Sequence, residues 1–127
     1  MLKWSEPDLT EFFGVIAKLH DDDAFAHSFE VGRDGLRLLV TLLDLENTIY
    51  VSIFRDGLSE PLFTVRRERC THIHITQNAN SRRCFEAGAP ERPVTDMGIP
   101  PVLVRGVRVY MEPLFQVELI EKRYAVA

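Results

Sequence analysis

The tetrapeptide Arg-Asp-Gly-Leu occurs twice, at residues 33–36 and 55–58, each time between runs in which apolar and polar side chains alternate. An Asp-Gly pair accepts the positive backbone dihedrals of a tight reversal, and a period of two sends alternate side chains to opposite faces of a strand. Residues Phe29 to Phe63 therefore read as consecutive antiparallel strands. A sheet rather than a helical bundle must build the interior.

One amphipathic helix precedes the sheet. Leu9, Phe12, Phe13, Ile16 and Leu19 fall at helical spacing with Asp8, Glu11 and Lys18 on the other side, which predicts a helix over about 6–19. Ser5 can cap its start, Asp8 can answer from three residues on, and Pro7 suits the first turn. The run Asp21-Asp22-Asp23 opposes the negative end of a helix dipole and should halt it near His20. From Phe25 the period is two. Leu36 to Leu43 carries Leu38, Val40 and Leu42 on one face and Leu39 and Leu43 on the other, so this strand belongs at the centre of its sheet. Short strands follow at Thr48 to Phe54, Leu62 to Arg66 and Cys70 to Thr76, extending a meander over about 25–76. A turn at Gln77 to Asn80 and a strand at Arg82 to Ala87 come next.

Residues 88–101 hold Pro90, Pro93, Gly98, Pro100 and Pro101 and predict the longest irregular stretch, either a crossover between sheet edges or the lining of a small-ligand pocket. Strand character resumes over about 102–121, with Gly106 marking a bulge or a close contact. Leu114 to Tyr124 alternates like a strand, yet Pro113 before it also suits a helix start. Together these features predict an α+β fold: an N-terminal amphipathic helix packed on one curved, mainly antiparallel β-sheet of about six to eight strands, all within a single domain spanning 1–127. The exposed edges of such a sheet suit strand addition by a partner or a homodimer.

At 127 residues, 46% hydrophobic and 27% charged, the composition is that of a soluble globular chain able to bury a core without staples. No apolar run approaches the roughly 20 residues of a membrane helix, and the amino terminus lacks a signal-peptide pattern, which together predict a cytoplasmic protein. Two cysteines, Cys70 and Cys84, suit free thiols in a reducing compartment, the alternative being one disulfide across a hairpin. The net charge is −4, but residues 1–60 hold 5 Lys/Arg against 12 Asp/Glu (−7) and residues 61–127 hold 10 against 7 (+3). An acidic front half disfavours nonspecific nucleic-acid binding and suits a basic partner.

The sharpest chemical constellation is Cys70-Thr71-His72-Ile73-His74-Ile75. Strand alternation would send Cys70, His72 and His74 to one face, with Cys84 approaching from the next strand, a donor set suited to zinc or another transition metal. The plainer alternative is the polar side of an amphipathic strand whose Ile73 and Ile75 face the core, because short motifs of this kind recur by chance. No glutamate follows at the spacing of the cupin metal motif. Arg66, Arg67, Arg69, Arg82 and Arg83 flank the same strand and could form a basic patch for phosphate or an acidic surface, the bland alternative being solvated strand ends. No aromatic residues interleave with them, which disfavours single-stranded nucleic acid. His20 with Asp21 to Asp23 matches no calcium loop and reads as a solvated linker. Nucleophile elbows, phosphate loops and dinucleotide glycine patterns are absent, so a noncatalytic role outranks an enzyme and no cofactor is implied.

Taken in order, His20-Asp21, Arg33-Asp34-Gly35-Leu36, the alternating Leu38/Val40/Leu42 strand and the segment Glu112-Pro113-Leu114-Phe115-Gln116-Val117 resemble small, mainly-β bacterial immunity proteins of polymorphic toxin systems. The resemblance implies a protein that binds one toxin by surface complementarity and catalyses nothing. A basic toxin would match the acidic front half. A metal-binding protein or metal-dependent enzyme built on Cys70, His72 and His74, and a small-ligand-binding domain, are the alternatives.

Overall fold

The computed structural model describes residues 2–20, 23–90 and 102–121, the side chains of 23–25 excepted. Helix α1 is short, Glu6–Phe13. Ser5 caps it by accepting the Asp8 backbone N–H at 3.3 Å, and Pro7 sits in its first turn. Gly14 ends it in a left-handed conformation (φ 73°), its N–H donating to the Thr10 carbonyl at 2.8 Å.

The helix predicted over 6–19 is thus cut short. Lys18–His20 is instead strand β1, paired with β2 (Asp23–Arg33) through Lys18↔Ser28 and Leu19↔His27. Ile16 and Leu19, read as core positions of a longer helix, are 81% and 50% exposed. Their spacing fits a helix, but glycine at position 14 closes the last turn and the backbone groups beyond it find partners in a sheet.

Nine strands form two antiparallel sheets among the described residues, where one sheet of six to eight had been expected, and the architecture is mainly β. The first sheet continues through β3 (Leu36–Leu43), β4 (Thr48–Arg55) and β5 (Phe63–Arg67), in the order β1-β2-β3-β4-β5. The central place of β3 is the one its two apolar faces require. The second contains β6 (His72–Gln77), β7 (Arg83–Pro90), β8 (Leu103–Tyr110) and β9 (Gln116–Glu121), again in chain order. The predicted meander over 25–76 therefore breaks before its last strand. Arg69 takes a positive φ of 60°; the Cys70 N–H still donates to the Asn47 carbonyl just before β4, and the Thr71 N–H then crosses to the Gly88 carbonyl of β7.

The two Arg-Asp-Gly-Leu copies adopt different turns. In the first, Asp34 and Gly35 both have positive φ (54° and 79°) and Arg33 pairs with Leu36 in a two-residue hairpin. In the second only Gly57 is positive (85°), and the chain opens into a longer loop before Leu62 returns its N–H to the Ile53 carbonyl. Of the irregular stretch expected at 88–101, Gly88 to Pro90 are strand and finish β7 beside β8; residues 91–101 lie outside the described residues. Gln116–Glu121 resolves the ambiguity after Leu114 in favour of strand as far as Glu121.

One hydrophobic cluster joins the sheets. Phe29, Leu38, Val40, Leu42, Ile49 and Val51 enter it from the first sheet, and Ile73, Phe85, Ala87, Val107 and Val109 from the second. Helix α1 adds Leu9 and Phe13. The Phe13 ring stacks on Phe29 at 5.0 Å and tilts against Phe85 at 5.6 Å, touching both sheets at once. No helix among the described residues is long and apolar enough to cross a membrane.

Candidate functional site

The register of the second sheet places His74, Glu86, Arg108 and Glu118 side by side on its outer face, one from each strand. Strand alternation explains this row: Ile73, Phe85, Val107 and Val117, each one residue away, point to the core. Glu86 is the hub. One carboxylate oxygen bonds to His74 Nε2 at 3.0 Å, and the other accepts the Nε–H of Arg108. Burial pushes the Glu86 carboxyl up, but the bonds from His74 and Arg108 outweigh it and hold its pKa below the ordinary carboxylate range. Burial likewise lowers the Arg108 pKa, and the bond to Glu86 more than restores it. Beside this row, the Cys84 thiol and the Tyr110 hydroxyl are buried and shifted upward, chiefly by desolvation, while Asn78 donates to the Tyr110 oxygen at 3.3 Å. An open depression of about 300 Å³ is lined by Thr76, Gln77, Asn78, Cys84, Glu86 and Arg108.

The row predicts an acid-sensitive contribution to stability. Because the folded pKa of Glu86 is depressed, its contribution is present above the unfolded carboxylate pKa of about 4.3 and is lost as pH falls through the folded value. Glu86→Gln should cost about 1–3 kcal/mol near neutrality by leaving Arg108 and His74 without their carboxylate. The gap in melting temperature between wild type and variant should close as pH falls from about 6 to about 3. A constant gap would show that Glu86 acts through packing alone.

The four residues predicted as metal ligands do not converge. Cys70 precedes β6 instead of lying in it and packs in the core, where its thiol donates to the Arg67 carbonyl at 3.6 Å. Burial raises its pKa to about 11 against the opposing effect of Arg67 and Arg105, so it is a thiol, not a thiolate ligand, at neutral pH. Cys84 and His74 share the outer face with His72, whose Nδ1 lies 2.9 Å from the Thr71 hydroxyl. Among the described residues no group of three or more His, Cys, Asp or Glu side chains is placed to hold one ion. Both cysteines are free thiols.

The five arginines are mostly engaged by neighbouring side chains. Arg66 pairs with Glu68 at 2.7 Å and lies over Tyr50, while Arg69 is exposed beyond the end of β5. Arg67 is buried and reaches across to Glu121 at 3.2 Å, linking β5 of one sheet to β9 of the other. Arg82 stacks 4.2 Å over Tyr110 and bonds to Gln116, and Arg83 binds Glu11 of α1 at 2.6 Å. Each except Arg69 is paired with a carboxylate, amide or ring, and Arg66 and Arg69 share a depression with Glu46 and Glu68.

A different surface emerges where three loops meet. The β2–β3 hairpin, the β4–β5 loop and the β8–β9 loop are tied together by Arg37, which binds Asp56 and the Leu58 carbonyl, and by Arg33, which binds Glu112 at 2.6 Å. Leu58, Leu62 and Leu114 stand 49%, 57% and 66% exposed on these loops. Their apolar character was visible in the sequence, but nothing local distinguished it from strand ends.

No family model matches the chain, and no curated protein matches it. Among solved structures, it is similar to a chain of a contact-dependent growth inhibition toxin–immunity protein complex from Klebsiella pneumoniae 342. The two superpose with a TM-score of 0.69 over 93% of this chain and 94% of the other, at 12% sequence identity. A shared fold is what this likeness establishes. It agrees with the small β immunity-protein architecture that the sequence resembled.

Proposed function

We propose that this chain is a single-domain, noncatalytic protein-binding module of the immunity type, working in the cytoplasm, which neutralises a toxin by covering its surface. The observation that carries the reading is the whole-length fold likeness to a chain of a toxin–immunity complex. The exposed apolar side chains on paired loops support it, since loops on a rigid sheet scaffold are a common place for recognition. The acidic first half of the chain fits a basic toxin.

Expression of the chain alone should leave bacterial growth unchanged. On this reading a toxin domain is encoded immediately upstream; co-expression with it should restore growth that the toxin alone abolishes, and the two proteins should elute together at a 1:1 ratio. Toxicity of this chain by itself, or failure to protect, would overturn the reading. Light scattering on the same samples reports the mass of the free chain, for which the open edges of β5 and β9 favour a homodimer.

A further inference from the structure

We propose that the three-loop end formed by Asp34–Gly35, Asp56–Leu62 and Glu112–Leu114 is the docking surface for that partner, and that it fits a protein surface with an apolar centre and a basic rim. This inference rests on the immunity-type reading and adds where the partner sits and what it presents.

Both sheets are meanders in chain order, so alternate connections fall at the same end of each sheet. The β2–β3 and β4–β5 connections share one end of the first sheet, and Arg33 with Glu112 brings the β8–β9 connection of the second sheet alongside. Leu58, Leu62 and Leu114 thus stand on loops braced by the same hairpin. A large apolar side chain left half or more exposed on a braced loop loses the free energy of burial, about 25 cal/mol per Å² of apolar surface, until something covers it.

Charge selects the kind of cover. The guanidinium groups at this end are drawn back: Arg33 lies 4.8 Å over the Phe115 ring and Arg37 4.8 Å over the Phe54 ring, with side chains 29% and 37% exposed. The carboxylates paired with them stand outward, Glu112 at 78% and Asp56 at 63%. Asp34 and Glu60 are exposed at the same end without a salt-bridge partner among the described residues, as is the cation Arg55, while Arg82, which donates to the Glu112 carbonyl, is drawn back over the Tyr110 ring. The outermost layer is therefore carboxylate around leucine. A partner with lysine or arginine around an apolar contact matches it, whereas a second copy would set carboxylate against carboxylate.

The test uses the full-length chain and the toxin domain encoded immediately upstream, with affinity read by calorimetry. Leu58→Asp with Leu114→Asp should weaken binding by at least about 30-fold, the loss typical of a hot spot, with the melting temperature unchanged because both side chains are solvent-facing. Asp34→Asn with Glu60→Gln should slow association and flatten its salt dependence. A control on acidic residues outside the three loops, Glu6→Gln with Asp8→Asn on α1, should leave affinity unchanged. Wild type that binds with the loop variants unaffected overturns this surface and leaves the immunity reading standing. Loss of affinity in the α1 control with the loop variants intact moves the site to the helix and overturns it too. Wild type that fails to bind removes the reading and the surface together.

Discussion

Alanine at Gly88 or Gly106 is expected to destabilise the protein by at least about 3 kcal/mol, near the upper limit of single overpacking substitutions, and to lower the melting temperature by roughly 10 °C or more. The two glycines face each other across β7 and β8 in direct register. A Cβ on Gly88 would meet the Arg105 carbonyl oxygen at 2.0 Å and the Gly106 Cα at 2.9 Å; a Cβ on Gly106 would meet the Ala87 carbonyl oxygen at 2.0 Å. These obstacles are backbone atoms, which cannot swing away as a flexible side chain would. Relief requires the central pair of strands in the second sheet to separate, which costs ladder hydrogen bonds as well as contacts. Thermal denaturation of the two variants, each alone, checks this. A loss below about 1 kcal/mol in both would mean that the strands can part without cost and that the close approach is incidental.

Phe13→Ala should be nearly as damaging, by about 3–5 kcal/mol, the range for removing a buried aromatic ring. Phe13 belongs to a helix of only eight residues, too short to persist by itself. Its ring fills the space between Phe29 of the first sheet and Phe85 of the second, with Phe12 packed edge-on at 5.0 Å. Truncation therefore opens a cavity where three elements meet and removes the main anchor of α1. Urea denaturation, compared with that of Phe12→Ala at a partly buried position, provides the measure. An equal loss in the two variants would show that the helix is held by its amphipathic face generally and not by this ring.

Local chemistry was legible in the sequence wherever it alone decided the outcome. The Asp34-Gly35 hairpin, the Ser5 cap, the central position of the Leu36–Leu43 strand and most of the remaining strands follow from turn residues and alternation. What escaped depends on distant partners. Ile16 and Leu19 kept helical spacing, but the choice between helix and strand there was made by pairing with residues 27 and 28. The division into two sheets turns on the backbone between Arg69 and Thr71, where no glycine or proline announces a break.

The candidate sites divide along the same line. Cys70, His72 and His74 alternate in sequence, yet Cys70 lies before the strand and its side chain packs in the core. Glu86, which bonds to His74, and Arg108, which bonds to Glu86, are 12 and 34 residues away from His74 and become neighbours only through the register of β6, β7 and β8. The five arginines looked like a patch because they are close along the chain; in the fold Arg66 and Arg69 line one depression with Glu46 and Glu68, while Arg67, Arg82 and Arg83 are engaged by Glu121, the Tyr110 ring and Glu11. The resemblance to small mainly-β immunity proteins drew on the order of turns and strands, and the fold agrees with it.

Within each sheet every strand lies beside its predecessor, and the one distant addition among the described residues is the Lys3 bridge to His72 at the edge of β6. Entropy lost in closing each successive hairpin is small, and such local zippering favours early formation of each sheet on its own. The arrival of Phe13 between them and the reach of Arg67 to Glu121 then become late events, contributing more to how slowly the native protein opens than to how quickly it forms. For a molecule proposed to hold a toxin inactive, persistence of the closed form is the property that matters most.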